Sequence, residues 1–343
     1  IFARLTGFTG RMTRIHAIDL LKLVVAIGVV WAHAVLLSGH VTPATYLFGQ
    51  GLVRTAVPTF AAISGFLFHS TYRNGKSLRW LTMLLGVYLF WCLIYLPVWL
   101  PHPATPRALA ADVLLGPIHL WYMAALLAAL ALIALILTLV PDAARARRWL
   151  LGLALGGLFT GTLVQSVDFF TGIDVPLNGY RNGLLVEFPY AVFGYLIADR
   201  LRREGRDWLP SGLWLGAGLA LLALLRLIEA WLSLRWFGLS VVAPPEIPFL
   251  AAAFSVAVLL ATLRLNIPAP PVNLGFVSMM LYFLHYGVLL GALHLGIGNV
   301  TLLLAIGIAL PFAAALLILQ ILRDFPRQGS PRPVAARRNP PRG

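Results

Sequence analysis

The sequence predicts an all-α fold, a polytopic bundle of membrane-spanning helices. Three observations predict it. The 343 residues are 60% hydrophobic and only 11% charged, against about 25% charged in an ordinary soluble domain. Apolar runs close to twenty residues recur along the whole length, each long enough to cross a hydrocarbon core about 30 Å thick. The basic residues gather in alternate connections between those runs, which is the footprint of membrane topology rather than of a binding face.

Ten spans are expected, at roughly 17–38, 48–69, 80–100, 118–140, 149–167, 183–199, 211–231, 247–264, 272–295 and 300–322. Short polar or Pro/Gly-rich connections separate them. Of the 26 Lys and Arg, 20 fall on one side: Arg4, Arg11, Arg14, the stretch from Arg73 to Arg79, Arg145–Arg148, Arg200–Arg206, Arg264 and six in the tail. The opposite side holds only Arg107, Arg181 and Arg235. This asymmetry places both termini in the cytoplasm and agrees with an even number of spans.

Residues 1–16 thus read as a cytoplasmic segment, 17–322 as a ten-helix membrane domain and 323–343 as a basic, disordered cytoplasmic tail. The first span lacks a small-residue cleavage site, so no cleavable signal peptide is expected. Cys92, the single cysteine, falls inside a span, which rules out an intramolecular disulfide and cysteine metal motifs. The net charge of +14 is a topology signal, and no nucleic-acid partner is expected. The expected location is a bacterial cytoplasmic (inner) membrane. It does not fix the oligomeric state.

Ionisable groups inside spans are costly and tend to face cavities. Lys22 and His33 lie eleven residues apart in the first span. Three helical turns take about 10.8 residues, so both side chains share one helix face to within about 20°, separated by about 16 Å along the axis. Asp19 precedes Lys22 by three and can pair with it. Lys22 then lies near the cytoplasmic surface and His33 past the midplane. The spacing suits a long anionic cofactor whose phosphates meet Lys22 and whose reactive end reaches His33. It equally suits a snorkelling lysine and a histidine bonded to a neighbouring helix.

Other polar groups fall at similar depth. Arg54 opens the second span, whose Pro58, Ser64 and Gly65 permit bending or close helix approach. His119, Trp121 and Tyr122 sit at the outer end of the fourth span, where an aromatic belt is the ordinary reading. In the ninth, Ser278, Tyr282 and His285 share one face, with His285 at mid-depth. Arg226 and Glu229 are spaced to neutralise each other in the seventh. Entering the sixth, Glu187 is placed either to orient a histidine or to pair with Arg181.

Five stretches in order resemble the acyltransferase-3 membrane family: "AIDLLK" with the basic-x10-His spacing of Lys22 and His33, "VPTFAAISGFLF", "IHLWYMAALL", "EFPYAVFGYLIA" and "SMMLYFLH". The resemblance covers roughly residues 14–322. Lys22 stands where many members have Arg, keeping the charge but losing the planar fork, and Ala61 follows Phe60 where two Phe often stand. Some members carry a fused extracytoplasmic hydrolase-like domain. None is legible here, so transfer is expected to finish inside the membrane domain.

The resemblance implies O-acyl transfer, acetyl by default, from cytoplasmic acyl-CoA to a hydroxyl of a carbohydrate or lipid-linked glycan at the membrane or its outer side. His33 is expected as general base or transient acyl carrier. Lys22, oriented by Asp19 and assisted by Arg73 and Arg79, is expected to bind the charges of acetyl-CoA or another short acyl-CoA. Ser64, Tyr282 or His285 would donate to the thioester oxyanion. Arg54, His119, Trp121, Arg181 and Glu187 would line the acceptor side. No metal is expected. The competing readings are a secondary transporter or flippase for an anionic sugar or lipid, which the same intramembrane charges would serve, and a scaffold in polysaccharide assembly.

Overall fold

The computed structural model describes residues 15–100, 105–237 and 245–324. The segment 1–14, with Arg4, Arg11 and Arg14, and the tail from 325 onward lie outside the described residues, as do the cytoplasmic placement and disorder expected of them. Among the described residues the fold is all-α: α1 His16–Ser38, α2 Pro43–Gly51, α3 Ala56–Arg73, α4 Ser77–Ile94, α5 Leu96–Trp99, α6 Pro106–Leu115, α7 Trp121–Leu139, α8 Ala143–Thr171, α9 Leu177–Tyr180, α10 Phe188–Glu204, α11 Gly212–Phe237, α12 Ala251–Arg264, α13 Leu274–His294 and α14 Val300–Asp324.

Eight stretches are long and apolar enough to cross a membrane: α1, Pro43–Arg73, α4, Ile118–Leu139, α8, Gly212–Trp236, α13 and α14. The sixth and eighth expected spans correspond to α10, of 17 residues, and α12, of 14. A helix of 14 residues rises only about 21 Å. The second expected span starts earlier than its apolar run suggests. Thr42 and Thr45 form a capping box around Pro43, which starts α2 ahead of the run. A 3-10 turn at Val53–Thr55 then separates α2 from α3 and carries Arg54. α6 lies in a connection expected only to be short and polar or Pro/Gly-rich.

Alternation of the long helices puts the starts of α1, α4, α8 and α13 at one end of the bundle (the His16 end), and the ends of α1, α8 and α13 at the other (the Ser38 end). α13 packs between α1 and α14, and α10 lies along α3. The α3–α10 contact is backbone on backbone. A Cβ added at Gly65 would stand 1.8 Å from the Ala191 carbonyl oxygen, and one at Gly194 would stand 1.8 Å from that of Ala62. This is small-residue packing, which replaces the missing hydrophobic drive between helices in lipid.

Arg226 and Glu229 do neutralise each other. Arg226 is buried, ion-paired to Glu229, and donates to the Gln50 carbonyl at the end of α2. Glu229 also accepts from the backbone N–H groups of Phe249 (2.5 Å) and Leu250 (3.3 Å), just before α12. The pair thus ties α11 to α2 and α12. Glu229→Gln is expected to destabilise by about 3 kcal/mol or more, because it strands a buried guanidinium. A titration of unfolding in mixed micelles reads this, and Arg226→Met/Glu229→Leu should recover most of the loss. A single variant as stable as the wild type would show that the guanidinium is not desolvated.

Candidate active site

Three histidines from distant parts of the chain meet inside the bundle. α1 carries His33, α13 carries His285, and the 3-10 turn Ile118–Leu120 carries His119. The ring centroids of His33 and His285 are 5.0 Å apart, those of His119 and His285 5.3 Å, and those of His33 and His119 6.5 Å. His285 and His119 are buried. His33 is half-buried and lines a cavity.

Hydrogen bonds assign the tautomers of the neutral rings. Nδ1 of His285 lies 2.9 Å from the Leu281 carbonyl, which can only accept, so this nitrogen carries the hydrogen. Its Nε2 then holds a lone pair, and it lies 3.1 Å from Nδ1 of His33. That same Nδ1 is 3.0 Å from the Val29 carbonyl. Two acceptors around one nitrogen make it the donor. The consequence is that Nε2 of His33 bears the lone pair and is the ring's basic nitrogen.

The turn holding His119 is strained. Ile118 has φ +52°, a conformation in which a β-branched residue is an outlier. Neither ring nitrogen of His119 has a hydrogen-bond partner among the described residues. Its ring stacks on Tyr286 at 5.0 Å, and its carbonyl accepts from the Tyr282 hydroxyl at 2.8 Å. The aromatic-belt reading therefore fails for His119 and for Tyr122, both buried in the interior. Tyr122 reaches the Ser64 hydroxyl at 3.4 Å.

Tyr95, between α4 and α5, is a participant that sequence reasoning missed. Its hydroxyl donates to the Phe283 carbonyl at 2.6 Å and accepts from the Gly287 N–H at 3.0 Å. It stands between the two groups that an unbroken helix would bond to each other, beside His285. Nothing local to Tyr95 signals this, since the two positions are 192 residues apart.

The expected acceptor-side residues divide. Arg54, Trp121 and Arg181 line the cavity of about 330 Å³ that reaches His33, together with Gln50 and Glu246. His119 belongs to the histidine cluster instead. Arg181 does not pair with Glu187. It lies 3.8 Å from Glu246, which is also ion-paired to Arg54, and its guanidinium sits 4.8 Å over the Trp121 ring. Glu246 takes both arginines because Gln165 fixes it there, accepting from the backbone N–H groups of Glu246 (2.6 Å) and Ile247 (2.8 Å). Glu187 sits fully buried in a π-helical turn, Gly183–Glu187. Its carboxylate has no hydrogen-bond partner among the described residues, so the expected pairing with a histidine is not made either. A single-turn π segment of this kind is a recurrent feature of functional sites.

The residues expected to bind the donor lie toward the His16 end. Lys22 is 3.5 Å from Asp19, as the i, i+3 spacing suggested. Arg73, the last residue of α3, and Arg79, in α4, are exposed. A further cluster there was not foreseen: Asp199 meets Arg203 at 2.9 Å, Arg147 at 3.5 Å and the buried His69 at 3.5 Å. Among the described residues no group of three or more His, Cys, Asp or Glu is arranged to hold a metal ion.

A helical membrane bundle with paired histidines opening on a polar cavity defines the class as integral membrane proteins with a reactive or transporting interior. The profile of the acyltransferase-3 family, described as an acyltransferase domain, matches residues 15–322, and the chain belongs to that family. It is an integral membrane acyltransferase of the non-aminoacyl, O-acyl type, which sets aside the transporter and scaffold readings. No curated protein and no solved structure gives a significant match.

Proposed function

We propose that this protein moves a short acyl group, acetyl by default, from cytoplasmic acyl-CoA to a hydroxyl of a carbohydrate or lipid-linked glycan at the Ser38 end, the outer side of a bacterial inner membrane. The observation that carries the reading is the His33–His285 pair, which leaves Nε2 of His33 as the base beside a cavity. In the ternary complex that nitrogen takes the proton of the acceptor hydroxyl. The hydroxyl oxygen attacks the thioester carbon, the C–S bond breaks, and CoA leaves as the thiol with that proton. As His33 becomes an imidazolium, Nε2 of His285 accepts from its Nδ1–H in place of the carboxylate of a triad.

The oxyanion role expected of Ser64, Tyr282 or His285 passes to His119. The Tyr282 hydroxyl is already donated to the His119 carbonyl, and His285 has no spare N–H. His119 is the ring with uncommitted nitrogens, and its strained turn holds it in position for the developing charge. Lys22, held by Asp19, meets the anionic head of the donor at the His16 end, with Arg73 and Arg79 nearby.

The test is acyl-CoA turnover by the full chain in nanodiscs, with mixed glycan acceptors. Lys22→Ala is expected to raise KM for acetyl-CoA about tenfold or more with kcat nearly unchanged, the signature of lost ground-state binding. Lys22→Arg should restore it. An unchanged KM would remove Lys22 from the donor site. Absence of any acceptor-dependent CoA release would sink the donor assignment.

A further inference from the structure

We infer that the cavity at the Ser38 end is built for an acceptor carrying a negative charge, a carboxylate or a phosphate, beside the hydroxyl that is acylated. This rests on the reading of His33 as the base, and it adds the acceptor's charge class.

Two guanidinium groups and one carboxylate line the cavity beside His33, giving a formal excess of one positive charge. Their exposure differs in a way that decides what a ligand meets. The Glu246 side chain is 7% exposed, whereas Arg54 is 25% and Arg181 24% exposed. Glu246 is withdrawn behind the arginines, and Gln165 locks its backbone there. An incoming molecule therefore meets the N–H donors ahead of the carboxylate.

Nor is the donor capacity of the arginines used up. The Nε–H of Arg181 is buried and has no hydrogen-bond partner among the described residues, and its contact with Glu246 is a long 3.8 Å. The face of Trp121 keeps the Arg181 guanidinium in place. A planar fork with an unfilled donor at Arg181, beside a second guanidinium at Arg54, suits the oxygens of a carboxylate or phosphate. Glu246 acts as an internal placeholder, limiting the repulsion between the arginines when the cavity is empty. At about 330 Å³ the cavity is at the small end of ligand sites, which favours one sugar-sized unit over a chain.

The test reads occupancy independently of the donor. The full chain in phosphatidylcholine nanodiscs is treated with diethylpyrocarbonate, and carbethoxylation of His33 is followed by mass spectrometry. Glucuronate, glucose 6-phosphate and glucose are the probes. Glucuronate or glucose 6-phosphate is expected to protect His33 at a concentration at least tenfold below that of glucose. Arg54→Gln and Arg181→Gln should each abolish that preference, Arg54→Lys and Arg181→Lys should keep part of it, and Glu246→Gln should retain or strengthen it. The lysine variants guard against loss of fold.

Nanodiscs containing phosphatidylglycerol distinguish a lipid source of the anion, since protection of His33 without added sugar would assign the site to an anionic headgroup. Equal protection by glucose and glucuronate, no protection by any probe or lipid, or a preference that survives both glutamine variants overturns the inference. Anion-selective protection in a protein that releases no CoA with any acceptor would keep the anion site and sink the proposed chemistry. Acceptor-dependent CoA release indifferent to acceptor charge would do the reverse.

Discussion

His33→Ala is expected to lower acceptor-dependent CoA release by about 10²–10⁴-fold, the range that a positioned general base contributes, while KM for acyl-CoA stays within about a factor of three. The charges proposed to bind the donor lie some eleven residues back along α1, so the loss should fall on kcat. Free thiol release, with the acylated product followed by mass spectrometry, measures it. His33→Gln separates base from spacer, since its amide can still meet His285 and Val29 but cannot take a proton. It should be as inactive as His33→Ala. At position 285, His285→Gln keeps an acceptor opposite Nδ1 of His33 and should retain more activity than His285→Phe. If His33→Gln keeps more than a tenth of wild-type turnover, His33 is not the base.

The second large effect is structural. Gly65→Ala and Gly194→Ala should each destabilise the bundle by about 2 kcal/mol or more. Each new Cβ would stand 1.8 Å from a carbonyl oxygen of the facing helix, where carbon and oxygen ordinarily approach to about 3.3 Å. Overpacking costs about 1–3 kcal/mol when side chains can give way. Here the obstacle is backbone, so α3 and α10 must part along their whole contact. The two substitutions should combine to less than their sum, because the first already opens the gap that the second needs.

Gly86→Ala and Gly152→Ala are the controls. A Cβ there meets nothing within 4 Å, and alanine favours the helix by about 1 kcal/mol, so both should be neutral or stabilising. Unfolding midpoints in mixed micelles give the comparison. A Gly65→Ala protein with the wild-type midpoint would show that the helices are not in backbone contact.

Local residue chemistry made part of the site legible. The spacing of Asp19, Lys22 and His33 follows from helix geometry alone, and so does the ion pair of Arg226 with Glu229. Gly65 was recognisable as a place of close approach, but its partner was not. Ala191 is 126 residues away, and small residues occur throughout these helices. The sequence puts His119 on the acceptor side, with an interfacial belt as the ordinary alternative, and gives no sign that it lies beside His285. Only the left-handed backbone of Ile118, which no propensity foretells, turns it inward. Closeness in the chain makes Glu187 a candidate partner for Arg181, and that pairing is not made. The carboxylate Arg181 meets, Glu246, lies in a proline-rich connection with no periodicity to read, fixed by a glutamine on α8.

Contiguous residues specify the all-helical membrane bundle and the family. Those depend on apolar run length, the 3.6-residue period and motifs carried in order, all properties of contiguous residues. Tertiary structure alone decided that His285 faces His33 nitrogen to nitrogen, that Tyr95 stands within the α13 hydrogen-bond ladder, and that Glu246 rather than Glu187 holds the arginines. Each of these depends on how helices far apart in the chain rotate about their axes and how closely they pack. In lipid that choice is made by van der Waals fit and buried polar pairing between surfaces that are almost equally apolar, so it leaves no local pattern in the residues that make it.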